Sequence, residues 1–541
     1  MNHHLLQQLI TTAAERAPDA PALVAQGHTT TYAELAAQAD AFAKAVAGIG
    51  LGRCERVAIY LDKRSEFVVS VFGTAAAGGV FVPVNPLLKS DQVAYILADC
   101  NVRVLVTSRD RWYGLRDALA ACPDLSAVVL IDGLDDELAS GASSVRLMGW
   151  SDLLAQQGSV HRVIDTDMTA ILYTSGSTGK PKGVVLSHRN MVAGAKSVAG
   201  YLDNRPGDRL LAVLPLSFDA GFSQLTTAFA SGATTVLMNY LLPRDVLTAL
   251  ATEKITGLTA VPPLWIQLAA LEWPASITTH LRYIANTGGR MPRATLDALR
   301  AHLPQTQPFL MYGLTEAFRS TYLPPDEVDR RPDSIGKAIP NAEILVLRED
   351  GSECDPEEPG ELVHRGALVG LGYWNDPAKT AERYKPLPRA KDGATNGLVM
   401  PEIAVFSGDT VRRDAEGYLY FIGRRDEMIK TSGYRVSPTE IEEALYATGL
   451  LAEIAAFGVE HPVLGQAIVV IAMGRAPLDG AAAVEVAAIK RACQKALPAW
   501  MQPAVIELRE AALPRNPNGK IDRKALSTAF FNPFIVEATS A

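Results

Sequence analysis

Tyr173-Thr174-Ser175-Gly176-Ser177-Thr178-Gly179-Lys180-Pro181-Lys182-Gly183 is the stretch on which the reading of this chain turns. Apolar Ala170 to Leu172 precedes it as a strand and Val184 to Leu186 follows as another. Glycine and hydroxyl residues packed this densely after a strand suit a loop whose backbone N–H groups and hydroxyls surround phosphate oxygens. Lys180 and Lys182 add positive charge. The spacing differs from G-x-x-x-x-G-K-[ST], because Lys180 is followed by Pro181. A flexible surface turn is also glycine-rich, but the flanking strands and paired lysines argue against that plainer reading.

Upstream, helical and strand patterns alternate. Tyr32 to Val46 carries apolar residues on one face, Arg56 to Tyr60 is a short strand, Glu66 to Ala77 is helical, and a strand ends at Val84. Val102 to Thr107 and Ser126 to Ile131 are further apolar, β-branched runs. Strands alternating with helices of this length predict layered parallel α/β sheets. Past about Pro332 the pattern changes: Glu343 to Leu347, the turn Asp350-Gly351 and Gly360 to His364 read as antiparallel hairpins. Lys385 to Pro401 reads as an irregular loop. A compact last segment begins near Gly423, with a helix at Pro438 to Ala447 and strands at Ile454 to Val459 and Ala467 to Met473. The expected fold class is therefore α/β: a large N-terminal unit over 1–422 with a β-rich subdomain at about 332–422, then a small α+β unit over 427–526 and a tail at 527–541.

Composition bounds the function. At 541 residues the chain is too long for one core, and about three or four structural units are expected. A net charge of -8 gives no electrostatic reason to expect nucleic acid or an anionic membrane as partner. Cys54, Cys100, Cys122, Cys354 and Cys493 are scattered and never spaced C-x-x-C, which argues against a disulfide framework and a zinc site. The start, MNHHLLQQLITTAAERAPDAP, lacks a basic n-region and an unbroken apolar run, and no stretch reaches the roughly 18 apolar residues of a membrane helix. A cytoplasmic enzyme is the expectation.

The loop TSGSTGKPKG resembles the signature of the adenylate-forming superfamily, which contains acyl-CoA synthetases, adenylation domains of peptide synthetases, and luciferases. The likeness continues in order through SFDAG (217–221), NTGG (286–289), YGLTE (312–316), SGDT (407–410), GRRDEMIKTSGYRVSPTEIE (423–442) and NPNGKIDR (516–523). Each match alone is weak; their order and spacing together are specific. The stretch YGLTEAFRSTYLPPDEVDRRPDSIGKAIPNAEI also resembles AMP-forming ligases of bacterial exosortase-associated clusters, usually named acyl-CoA ligases.

The resemblance implies a ligase that uses ATP and Mg2+ to join a carboxylate to AMP and then passes the acyl group to a thiol. Two anions must meet in such a reaction, so fixed positive charge and a metal are needed. It implies nucleotide contacts from Thr174, Ser175, Gly176, Ser177, Thr178, Gly179, Lys182, Gly288, Gly289 and Gly313. Thr315 would contact the α-phosphate, Glu316 help hold magnesium, and Tyr312 stack on adenine. Asp409 would grip both ribose hydroxyls, with Arg424 as a second ribose contact. Lys520, in the loop LPRNPNGKIDR, matches the catalytic lysine that bridges the substrate carboxylate and the ribose-phosphate. A hinge over 423–426, at Asp426, would let a mobile C-terminal unit rotate between half-reactions, bringing up a face that carries Lys430 and Gly433. Taken alone, Asp409 reads as a turn aspartate and Lys520 as a solvated surface charge; their spacing to the other motifs reverses both.

The acid is read from fewer residues. Fatty acyl ligases carry a His-containing motif where this chain has Ser217-Phe218-Asp219. Asp219 instead resembles the residue of amino-acid-activating domains that pairs with the substrate ammonium, and a buried carboxylate needs such a partner. Its plainer reading is a cap on the following helix. By the same resemblance Phe218, Ala220, Ser223, Ala285, Thr287, Met311, Arg319 and Ser320 line the acyl pocket. Arg319 suits a second carboxylate, hence an acidic amino acid, or else a structural ion pair. The acceptor is CoA or a phosphopantetheinyl carrier protein acting in trans, since no Ser-bearing carrier segment follows Arg523. Two other readings compete: a CoA ligase for a simple carboxylic acid, and a non-catalytic adenylate-binding scaffold. The scaffold predicts loss of Glu316, Asp409 or Lys520, and all three are present.

Overall fold

The computed structural model describes residues 3–134, 145–174, 181–387, 401–424, 427–431, 434–462, 464–475, 485–516 and 519–534. The helix Ser65–Ala77, SEFVVSVFGTAAA, is buried continuously from Phe67 to Ala75. A helix apolar on all faces must lie between layers rather than on a surface. It does: with the helices Tyr32–Gly48, His188–Tyr201 and Asp219–Ser231 it shares one core with strands from two different sheets. Thr31 and Glu34 close a capping box on the first of these helices, fixing where it starts.

One sheet orders its strands Gly372–Tyr373, Lys182–Ser187, Met168–Thr174, Val80–Pro83, Arg56–Tyr60, Val102–Thr107, Ala127–Leu130 and Arg146–Gly149. From Met168–Thr174 to Arg146–Gly149 the pairing is parallel, as expected. Side chains alternate across it: Val57 and Ile59 enter the shared core, while Ala58 and Tyr60 join a second core on the outer face. Lys182–Ser187 runs antiparallel to Met168–Thr174, with Thr174 opposite Lys182. The residues carrying the glycine-rich motif therefore connect two strands of one hairpin, with no helix opening directly after them.

The other sheet contains fourteen strands among the described residues. Thr234–Leu237, Arg209–Ala212, Gly257–Ala260, Tyr283–Asn286 and Gln307–Tyr312 pair in parallel; Thr321–Leu323 then pairs antiparallel. Amphipathic helices Pro243–Thr252, Pro262–Ala269 and Arg293–His302 cover its outer face. The β-rich part expected at about 332–422 is not separate from this sheet. Ser334–Ala338 pairs with Thr321–Leu323 on one side and Leu419–Arg424 on the other, so the ladder continues through Ile403–Arg413, Gly360–Gly366 and Ala342–Leu347. Gly372–Tyr373, from the same range, crosses to the first sheet. An unpaired sheet edge seeks backbone partners regardless of sequence distance.

The C-terminal unit is built on the long antiparallel pair Leu451–His461 and Gly465–Gly474. Helices Pro438–Tyr446 and Val486–Ala496 pack on one face. The helix Arg523–Ala529 covers the other, where Leu513, Leu526, Phe530 and Phe534 meet Phe457 and its neighbours. The boundary expected at 526 is thereby corrected: the helix runs across it, and the Phe530 ring packs edge-on against Phe457 at 5.8 Å. Four of the five cysteines are buried and all are free thiols.

Candidate functional site

Three segments converge where the two large sheets face the C-terminal unit. The first is the end of the strand Gln307–Tyr312 and the single turn Thr315–Ala317 that follows. The Tyr312 hydroxyl donates to Asp409 Oδ2. Burial, and then the Asp409 carboxylate, push the Tyr312 phenol well above its ordinary range, so it remains a donor. Asp409 is 8% exposed and lies opposite Arg424 in the pair Ile403–Arg413 and Leu419–Arg424. Arg424 Nε lies 3.9 Å from Asp409 Oδ1. An aromatic ring and a carboxylate thus stand side by side.

The second segment carries Lys182 and lies beside Glu316. The Lys182 ammonium lies 5.5 Å from the Tyr373 ring centroid. Burial, then the neighbouring Lys379, hold its pKa below the ordinary lysine value. Glu316 is half-buried in the turn Thr315–Ala317, and its Oε1 accepts from the Tyr373 hydroxyl at 2.6 Å. Ser175, Gly176, Ser177, Thr178 and Gly179 lie outside the described residues, as do Asp426 and Gly433.

The third segment is the loop bearing Lys520. Gly288 takes φ +76°, and a Cβ built there would lie 3.8 Å from Lys520 Cε. The lysine of the C-terminal unit therefore reaches the NTGG turn of the N-terminal one. The cleft admits water to Lys520, although protein surrounds it on most sides. That crowding lowers its pKa below the ordinary 10.5; the carboxylates of Asp219 and Asp409 oppose the shift and Arg424 adds to it. The two units also meet where Arg290 pairs with Glu443 of the helix Pro438–Tyr446. Lys430, by contrast, is exposed on the strand Ile429–Thr431, its N–H donating to Gln466 Oε1 at 2.7 Å. None of its described contacts reaches this cleft.

Asp219 opens the buried helix Asp219–Ser231, but the N-cap is Phe218 and no side chain caps it. The carboxylate turns instead to Arg319, whose Nη1 donates to Asp219 Oδ2 at 3.1 Å. The two residues expected to await separate substrate charges therefore neutralise each other. Arg319 is 2% exposed, and its Nε is buried without a partner among the described residues. Phe318, at φ +57°, reverses the chain just before Arg319, an uncommon conformation for a bulky residue. A narrow cavity beside the pair is lined by Ala220, Ser223, Met311 and Arg319, together with Gln224, Thr227 and Tyr283. Ala285, Thr287 and Ser320 are buried but do not line this cavity, and the Ser320 hydroxyl is engaged with His364 Nδ1 at 2.9 Å.

Gly221 sets the approach of this helix. A Cβ there would overlap the carbonyl oxygen of Pro215. Helix propensity favours Ala over Gly by about 1 kcal/mol, but overpacking against backbone costs about 1–3 kcal/mol and wins here. Gly221→Ala is expected to lower stability in urea unfolding; a variant as stable as the parent would show that this contact yields easily.

Among the described residues no cluster of three His, Cys, Asp or Glu side chains could hold a metal, and no helix is long and apolar enough to cross a membrane. A single carboxylate still suits magnesium, which keeps several waters and binds mainly to nucleotide phosphates. Glu316 fits that requirement.

Tyr373 and Arg290 escaped the sequence reading. Tyr373 lies 57 residues from Glu316, and only the pairing of Gly372–Tyr373 with Lys182–Ser187 brings it there. No local spacing signals either contact.

An α/β body, a hydrogen-bonded Tyr312–Asp409 pair and a small C-terminal unit whose Lys520 reaches the NTGG turn define the class of fold and site. Residues 10–374 match the family described as AMP-binding enzyme, and residues 440–520 match the AMP-binding enzyme C-terminal domain. The chain belongs to the AMP-binding enzyme family, within the adenylate-forming superfamily. It is 30% identical over 536 residues to one of the linear gramicidin synthase proteins of Brevibacillus parabrevis, a match covering 96% of this chain and 10% of that protein. The chain thus spans about a tenth of that relative's length. In structure it resembles an anthranilate CoA ligase solved with anthranoyl-AMP, at TM-score 0.83 and 24% identity over 97% of both chains. It also resembles the O-succinylbenzoate Coenzyme A synthetase of Bacillus subtilis, solved with ATP and magnesium ion, at TM-score 0.79 and 25% identity over 96% of this chain and 99% of that one.

Proposed function

We propose that this chain adenylates an amino acid, most favourably one with an acidic side chain, and transfers it to the phosphopantetheine thiol of a carrier protein. The observation that carries the reading is the Asp219–Arg319 pair beside the cavity, with the Arg319 Nε unpartnered among the described residues. A substrate with an ammonium and a second carboxylate satisfies both members when it enters between them. A simple carboxylic acid would leave the pair closed on itself and engage neither member. Likeness to a protein named delta-poly-L-ornithine synthetase, 29% identical over 531 residues, supports an amino acid as the substrate. Likeness of fold to two proteins named for CoA ligation favours a second reading for the acceptor, CoA itself. A cytoplasmic setting goes with either.

In the adenylation step the substrate carboxylate attacks the α-phosphorus of ATP and pyrophosphate leaves. Tyr312, Asp409 and Arg424 hold the nucleoside, Thr174, Lys182, Gly288, Gly289, Gly313 and Thr315 face the phosphates, and Lys520 offsets the charge where the two anions meet. Magnesium, held through Glu316, supplies further neutralisation of the phosphates when bound. Rotation about the segment containing Asp426 then exchanges Lys520 for the face bearing Lys430, opening a path for the thiol.

Pyrophosphate exchange with amino acids and their deamino analogues tests this, followed by thiol capture with CoA and carrier proteins. Exchange is expected to be greatest with acidic amino acids. Equal exchange with deamino analogues would remove the role given to Asp219.

A further inference from the structure

Glu316 is held at more points than a turn residue needs. Its carbonyl accepts from the Gly370 N–H at 2.8 Å and from the Tyr384 hydroxyl at 3.5 Å. Its carboxylate accepts from the Tyr373 hydroxyl through Oε1. Tyr373 is 9% exposed and sits opposite Val184 in the pair with Lys182–Ser187. The Lys182 ammonium is 5.5 Å from the centroid of the same ring, and the Tyr384 ring meets it edge-on at 5.6 Å. One side chain therefore touches both the carboxylate at the end of one sheet and the lysine closing the glycine-rich motif on the other. Packing does not require the hydroxyl. Phe would fill the same space and keep the ring contacts, losing only the hydrogen bond to Glu316.

We propose that Tyr373 is a positioning residue for the divalent metal that accompanies the nucleotide. Its hydroxyl occupies Oε1 of Glu316, fixes the plane of the carboxylate and leaves Oε2 for the metal. This rests on the reading of Glu316 as the metal-holding residue. The terminal torsion of a glutamate is broad, so an untethered carboxylate samples many orientations. Hydrogen-bond partners of a ligating group typically change metal affinity about 10- to 100-fold. Where the protein offers one carboxylate and phosphates complete the shell, the orientation of that carboxylate carries the protein's whole contribution.

The test uses the full chain and its Tyr373→Phe variant. Binding of Mn2+ is followed by electron paramagnetic resonance with a non-hydrolysable ATP analogue present, alongside Mg2+ titration of pyrophosphate exchange. The half-saturating metal concentration is expected to rise about 10- to 100-fold. The KM for the acid and the rate at saturating metal stay near wild type, a split that a general packing defect would not produce. Tyr384→Phe, which keeps the ring contact with Tyr373 and removes only the hydroxyl on the Glu316 carbonyl, leaves the Mn2+ titration unchanged. If Glu316→Gln binds Mn2+ like wild type, the metal reading of Glu316 fails and the proposal falls with it. If Glu316→Gln weakens Mn2+ binding but Tyr373→Phe does not, the role of Tyr373 alone is overturned. A Tyr373→Phe variant that loses thermal stability and rate together, with unchanged metal affinity, overturns it as well.

Discussion

Lys520→Ala is expected to lower ATP–pyrophosphate exchange about 10²- to 10³-fold, the usual cost of removing one preorganised donor from developing negative charge. Transfer from a pre-formed acyl-adenylate to a thiol should continue at the wild-type rate, because Lys520 serves only the first half-reaction in the proposed scheme. Normal exchange by the variant would remove the lysine from the chemistry. The crowding around Lys520 also sets a pH dependence. Burial lowers the lysine pKa, so the ammonium is lost at a lower pH than usual, and exchange should decline on the alkaline side before pH 10.5. Lys520→Arg, whose guanidinium does not titrate in this range, should lack that decline whatever its absolute rate. A decline of the same midpoint in the arginine variant would assign the titration to another group.

Asp219→Ala is expected to cost about 3–5 kcal/mol of stability, because it strands the Arg319 guanidinium in the interior. The Arg319 side chain is only 3% exposed, against 16% for Asp219, and no other carboxylate pairs with it among the described residues. Exchange with amino acids should fall about 100-fold, through loss of the ammonium's counter-charge. The double variant Asp219→Ala, Arg319→Leu should recover most of the stability, since removing both partners leaves no orphan charge. It should not recover exchange. Equal instability of the single and double variants in urea would show that the charge pair is not what holds this wall of the cavity.

These outcomes depend on features of different legibility. The strands Arg56–Tyr60 and Val102–Thr107 and the helix starting at Tyr32 were readable because hydrophobic period and capping residues act within a few positions. The ordered motifs were readable for a related reason: phosphate, ribose and carboxylate each demand particular residue types at particular turns, and those turns are local. Asp409, Arg424 and Lys520 were singled out in that way; that Asp409 and Arg424 sit opposite each other is shown by the strand pairing.

Local pattern is silent about which sheet edges join. Ser334–Ala338 bonds to strands on both sides and merges the expected β-rich subdomain into the larger sheet, while Gly372–Tyr373 leaves it for the other. Those choices come from satisfying every backbone donor and acceptor at once over the whole core. The same is true of Asp219, whose place at a helix start suggested a cap. Its partner is Arg319, 100 residues away, brought there by the turn at Phe318.

The sequence by itself determined the family and marked the candidate groups for its chemistry. Only the tertiary structure decided which of those groups lie against each other, as Asp219 does against Arg319 and the Glu316 Oε1 against Tyr373. The physical reason is one of range: residue type fixes what a side chain can bond, whereas the packing of distant segments fixes which partner lies within about 3 Å of it.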